Sequence, residues 1–136
     1  MKSLGDCGWL NAYVGIPYVF GGRDRSGLDC YGLVKLIYQD QYGETLPDWQ
    51  TDIQNLSIRD AEFDKAINGS DWDEHEEPCD GDFVVCRSKR LAHHMGVYFG
   101  GGVLHCCDGA GVVYEPLSRF KDKYHKIQFG EWRPCR

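Results

Sequence analysis

A change of hydrophobic period along the chain constrains its fold more than any other feature. Around Gly27-Leu28-Asp29-Cys30-Tyr31-Gly32-Leu33-Val34, the residues Cys30, Leu33, Val34, Ile37 and Tyr38 recur at i, i+3, i+4, i+7 and i+8, which lines one face of an α-helix. From Trp72 onward the pattern changes to short runs of β-branched and aromatic residues, the mark of strands. Helices first and strands later describe an α+β domain whose helix covers an antiparallel sheet. A chain of 136 residues suits a single domain, 1–136, large enough to hold its own core.

The main helix carries its own punctuation. Asp29 stands where an N-cap belongs, able to satisfy orphan N–H groups of the first turn, and Gly43 supplies the stop. Cys30 then lies at the positive end of the helix dipole, which favours thiolate over thiol. Two readings of Cys30 stay open at this point: an activated nucleophile, or a small buried hydrophobe, as most unpaired cysteines are.

Seven cysteines are many for this length, but the number is odd and no pair has CxxC spacing, so neither a disulfide framework nor a structural zinc site is expected. Residues 48–82 hold 12 of the 21 acidic residues, with only Arg59 and Lys65 as bases. That segment carries −10 and the remainder +4, a solvated acidic flank that argues against nucleic acid as a partner. Gly21-Gly22 runs into Arg23-Asp24-Arg25-Ser26, without the GK[ST] ending of a phosphate-binding loop. The N-terminus lacks the apolar run of a signal peptide and no stretch approaches a membrane span. Synthesis in a cytoplasm without the usual export signal, no membrane insertion and no cofactor or metal are therefore expected.

Further elements follow from local signals. Residues 5–14 suit a short helix with Trp9, Leu10 and Tyr13 inward, ended by Gly15 and Pro17. Residues 43–56 suit a surface loop, and Ser57 to Ile67 an outer amphipathic helix. Strands are expected at 83–86, 93–99, 103–107, 111–115 and about 124–132, with one helical turn at 117–120.

A cysteine nucleophile needs a base, and histidine is the usual one at neutral pH. His75 and His125 read as surface residues. Alternation puts His94, Gly96 and Tyr98 on one strand face and His93 on the other. If Gly100-Gly101 forms a two-residue turn, His105 lies opposite Gly96 and diagonal to His94. A three-glycine loop would slip the register and put Cys106 there instead. Two histidines packed at a strand edge is the bland reading. A metal site drawn from Cys30, His94 and His105 is the poorer one, since three separate elements supply it without ligand spacing.

Together these segments resemble the NlpC-type cell-wall cysteine peptidases, which are papain-like in fold. Pro17-Tyr18-Val19-Phe20-Gly21-Gly22, Gly27 to Val34, His94-Met95-Gly96-Val97-Tyr98 and His105 match that family's motifs, in its order. The resemblance implies Cys30 as nucleophile, His94 as general base and acid, and His105 as the residue orienting the imidazole. It also implies Tyr18 beside the oxyanion, with Asp29 and Tyr31 next to the substrate. The implied reaction is amide hydrolysis through a thioester in the peptide stem of bacterial peptidoglycan, often at a γ-D-glutamyl bond to a diamino acid. Tyr31 stands where serine is common, which would narrow the cleft, and the interval from His94 to His105 is one residue short.

Tyr31, the continuation Gly43 to Asp48, the Glu76-Glu77-Pro78-x-x-Gly81-Asp82 turn and the Trp132-Arg133 ending look most like the branch found in bacteriophage tail-tip and tail-assembly proteins. Such a protein would travel in the virion with other tail proteins as partners and act in the cell-wall space. Two alternatives are a tail component of little or no activity, and an amidase or acyltransferase using the same Cys-His pair.

Overall fold

In a computed structural model of the chain, residues 8–46, 72–88 and 91–132 are described. The helix expected from the spacing of Cys30 to Tyr38 is α1, Cys30–Tyr42. Asp29 has extended backbone (φ −93°, ψ −173°), and its Oδ1 accepts the Gly32 N–H at 2.7 Å. Gly43 closes the helix at φ +67°, a left-handed conformation that glycine adopts without steric cost. Leu33, Val34 and Ile37 lose all exposure, each contributing about 1.5–3 kcal/mol relative to an exposed side chain.

Among the described residues the strands form two sheets. β1 (Arg23–Asp24) and β2 (Gly27–Leu28) make a small antiparallel hairpin just before α1, too short for periodicity to reveal. β3 (Trp72–His75), β4 (Phe83–Ser88), β5 (Leu91–Phe99), β6 (Gly102–Cys107), β7 (Gly111–Pro116) and β8 (Lys126–Trp132) form a six-stranded sheet in the order β3-β8-β4-β5-β6-β7. Every neighbouring pair is antiparallel. The last strand thus inserts between the first two of the sheet. Between β7 and β8, α2 (Leu117–Phe120) is the expected helical turn.

Alternation divides the sheet into two apolar faces. Phe83, Val85, Met95, Val97, Phe99, Leu104 and Cys106 join the core that contains α1. Val84, Cys86, Val103 and Phe120 form a second cluster, bordered by Tyr98, Tyr124, Ile127 and Phe129. Gly100 and Gly101 have φ of +56° and +85°, as a two-residue hairpin turn requires. Phe99 therefore pairs with Gly102 and Gly96 with His105.

The expected helix at 5–14 is, within the described residues, a single 3-10 turn, Gly8–Ala12, burying Leu10. Gly15, at φ +96°, ends the turn and joins the sheet edge: its N–H donates to the Val112 carbonyl, and the Val112 N–H donates to Ile16. These bonds cover an otherwise unpaired edge of β7. The expected helix at 57–67 and most of the loop at 43–56 lie outside the described residues. His75, expected as surface decoration, has its Nδ1 2.7 Å from Oδ2 of fully buried Asp82, because β3 pairs with β8 beside the turn leading into β4. His125 is exposed. Among the described residues no helix is long and apolar enough to cross a membrane.

Candidate active site

Three glycines bring a loop against the start of α1. A Cβ on Gly32 would lie 2.1 Å from the Gly22 carbonyl oxygen, and one on Gly22 would lie 2.3 Å from that of Gly27. The Pro17–Gly22 segment therefore runs directly beside Leu28, with Leu28 N–H donating to Pro17 and Val19 N–H to Leu28. Cys30 emerges from this junction 5 % exposed, at the first position of the helix.

The sheet opens where that junction meets it. The β5–β6 ladder stops at Gly96 and His105, although β5 begins at Leu91 and β6 continues to Cys107. One residue past the last pair, the Cys106 thiol donates to the Leu28 carbonyl at 3.1 Å. Cys30 joins the core on the α1 face, and Tyr124 borders the cluster on the other face. Tyr124 in turn stacks on His94, with ring centroids 5.9 Å apart and planes 15° from parallel. His94, two residues before Gly96 on β5, lies where the two strands diverge.

Behind His94 runs a line of hydrogen bonds. His94 Nε2 lies 3.0 Å from His105 Nδ1, and His105 Nε2 lies 2.8 Å from Glu115 Oε2. Lys123 Nζ donates to both carboxylate oxygens of Glu115, at 2.6 and 2.8 Å. A carboxylate only accepts, so His105 carries its proton on Nε2. Burial pushes the His105 imidazole below its ordinary value, against the opposing pull of Glu115, so the ring is neutral near pH 7. Its Nδ1 then accepts from His94 Nε2–H, which leaves the lone pair of neutral His94 on Nδ1.

An aromatic ring packs against this line. Phe120 is fully buried, with its ring 4.7 Å from that of His105 at 73°. Burial raises Glu115, but bonds from Lys123 and His105 outweigh it and hold the carboxyl below its ordinary value. Burial pushes the Cys106 thiol up to about 12 and raises Cys107 and Cys86 as well.

The other expected site residues occupy distinct places. Tyr18 is half-buried and bridges to Leu28. Asp29 is 2 % exposed, holding the Gly32 N–H and the Arg23 guanidinium, whose Nη1 is 2.7 Å from Oδ1. Tyr31 has no exposure and packs in the core, with Arg23 Cζ 5.6 Å from its ring centre. Asp29 thus faces the helix cap, and Tyr31 the core. Cys106 faces α1, since the two-residue turn sets the register. Glu115, Lys123, Phe120, Tyr124 and Cys107 are the site neighbours that sequence reasoning missed. Only the β6–β7 register, pairing Val103 with Glu115, brings Glu115 diagonal to His105.

Two groups among the described residues have ligand atoms close enough to hold a metal ion: His94, His105 and Cys107, and His75, Cys79 and Asp82.

The sequence model of the NlpC/P60 family matches residues 15–130. The chain is 27% identical over 120 residues to Murein DD-endopeptidase MepS/Murein LD-carboxypeptidase of Escherichia coli strain K12, covering 88% of this chain and 55% of that protein. It is 34% identical over 91 residues to the Gamma-DL-glutamyl hydrolase of Bacillus subtilis strain 168, covering 66% and 19% respectively. The chain spans about half the length, or less, of these relatives. Its fold is similar to that of the NlpC/p60 domain of peptidoglycan hydrolase SagA, with a TM-score of 0.60, 22% identity, and coverage of 89% of this chain and 90% of that one.

Proposed function

The chain belongs to the NlpC/P60 family, and from that membership we propose that it is a cysteine peptidase cutting amide bonds in the peptide stem of bacterial peptidoglycan. The observation that carries this reading is the hydrogen-bonded line from His94 through His105 to Glu115, in a chain whose Cys30 opens a capped helix. The relatives named as murein endopeptidases and as a γ-DL-glutamyl hydrolase support the substrate class.

In this mechanism His94 Nδ1 takes the Cys30 proton and the thiolate attacks the amide carbonyl carbon. The developing oxyanion is held by backbone N–H groups at the start of α1, assisted by the Tyr18 hydroxyl. The His94 imidazolium returns its proton to the leaving amine, and a thioester remains on Cys30. Water, deprotonated by His94, then attacks the thioester and releases the acid. His105 and Glu115 act through His94: they keep the basic lone pair on Nδ1 and stabilise the imidazolium. The bond proposed is one often cut in this family, from γ-D-glutamyl to a diamino acid, a reading supported by the relative named Gamma-DL-glutamyl hydrolase.

The finer part of the proposal is delivery with a bacteriophage tail. It rests on the sequence features Tyr31, Gly43 to Asp48, Glu76 to Asp82 and Trp132-Arg133, and predicts this chain in purified phage particles by mass spectrometry. Its absence there removes the tail assignment and leaves the peptidase reading intact.

The chemistry is tested by incubating the protein and its Cys30→Ala variant with purified muropeptides and reading new termini by mass spectrometry. Cleavage by the parent alone is expected. Equal cleavage by Cys30→Ala removes Cys30 as nucleophile, and no cleavage by either favours a structural role for the fold.

A further inference from the structure

Beside the His94–His105 pair lies a thiol for which the mechanism has no use. Cys107 is two residues beyond His105 on β6, so alternation returns it to the same sheet face. Its Sγ is 3.3 Å from His105 Nδ1, the atom that also meets His94 Nε2 at 3.0 Å. One ligand atom from each of His94, His105 and Cys107 lies within 4.8 Å of the others. Zinc bonds of about 2.0–2.1 Å to nitrogen and about 2.3 Å to sulfur, arranged tetrahedrally, put ligand atoms about 3.3–3.6 Å apart. The two separations that meet at His105 Nδ1, 3.0 and 3.3 Å, lie within a few tenths of an ångström of that spacing, and the third is no more than 4.8 Å.

The outer groups suit a metal as well. Ligating histidines commonly donate their second ring N–H to a carboxylate, and His105 Nε2 has Glu115 Oε2 at 2.8 Å. His94 and Cys107 are half-buried rather than sealed, which leaves an approach from solvent. Two imidazoles and a thiolate select a borderline-soft ion such as Zn²⁺ over Mg²⁺ or Ca²⁺.

We propose that His94, His105 and Cys107 form an inhibitory site for a thiophilic divalent cation of the zinc class. This rests on the reading of His94 as the base. Before binding, each of the three groups holds one proton: His94 and His105 on Nε2, Cys107 on Sγ. The ion takes His94 Nε2, His105 Nδ1 and the Cys107 thiolate. The His94 proton moves to Nδ1, His105 keeps its proton on Nε2, donated to Glu115, and the Cys107 proton leaves to solvent. One proton is released per ion, with no change of oxidation state. With Nδ1 protonated and Nε2 coordinated, His94 has no lone pair for the Cys30 proton, and hydrolysis stops.

The test adds Zn²⁺ to the full chain in a Cys79→Ser background, so that the group of His75, Cys79 and Asp82 does not contribute. Binding is read by competition with a chromogenic chelator, with Mg²⁺ as control and thermal melts to establish that each variant is folded. Cys30→Ala is expected to bind Zn²⁺ as tightly as the parent, whereas Cys107→Ser and Cys107→Ala bind at least about tenfold more weakly. Co²⁺ should give a thiolate charge-transfer band in Cys30→Ala that Cys107→Ser lacks. In muropeptide hydrolysis, Cys107→Ser should match the parent without added metal and tolerate at least about tenfold more Zn²⁺. Binding lost in Cys30→Ala, or retained in both Cys107 variants, overturns the proposed ligand set. Because binding is read without activity, a chain that holds Zn²⁺ through Cys107 but cuts no muropeptide would sink the peptidase reading and not the metal site.

Discussion

At the scale of single residues, the position of one proton is set by a carboxylate that lies two hydrogen bonds away. Glu115 holds the Nε2 proton of His105, His105 Nδ1 holds that of His94, and the lone pair on His94 Nδ1 is the outcome. Replacing His94 with alanine should lower hydrolysis by about 10²–10⁴-fold, the usual contribution of a positioned acid-base group. Glu115→Ala should lower it by less, while Glu115→Gln, whose amide oxygen still accepts from Nε2–H, should recover part of the loss. Nitrogen-15 NMR of the histidine rings gives a check independent of turnover. In the parent both His94 and His105 should show the Nε2–H form near neutral pH. In Glu115→Ala the His105 signal should shift toward a mixture of tautomers, and an unchanged spectrum would remove Glu115 from its positioning role.

At the scale of elements, α1 is placed by its first turn. Asp29 joins the Gly32 N–H to the Arg23 guanidinium, and so ties the β1–β2 hairpin to the helix that carries Cys30. Asp29→Ala should cost about 1 kcal/mol as a lost cap, and more from the Arg23 guanidinium left without its buried acceptor, read as a lowered denaturation midpoint. Gly32→Ala tests the close approach directly, since its Cβ would meet the Gly22 carbonyl oxygen at 2.1 Å. The backbone has to yield, at a cost of about 1–3 kcal/mol, and hydrolysis should fall with it because the loop beside Cys30 moves. Unchanged stability in Gly32→Ala would show that the loop does not need this contact.

At the scale of the whole molecule, acid should loosen the joint between β6, β7 and the segment after α2, where His105, Glu115 and Lys123 meet. His105 titrates below its ordinary value of 6.5 when folded, so between the two values the unfolded chain binds more protons. Its contribution is complete above about 6.5 and is lost as pH falls through the folded value. Glu115, held below its ordinary 4.5, adds stability that is present above about 4.5 and lost in more acidic solution. Denaturant midpoints measured from pH 7.5 to 5 should therefore fall less steeply for His105→Gln than for the parent. The same joint divides what was legible in the chain from what was not. The helix period from Cys30 to Tyr38, the Asp29 cap, the Gly43 stop and the glycines at 100–102 act through neighbouring residues, so the sequence by itself determined α1 and the β5–β6 hairpin, and narrowed the residue opposite Gly96 to two registers. The insertion of β8 between β3 and β4, the opening of the β5–β6 ladder at Cys106, and the meeting of His105 with Glu115 and Cys107 depend on which distant segments lie side by side. Contacts of that kind close long loops and leave no periodic trace in the chain, so only the tertiary structure decided them.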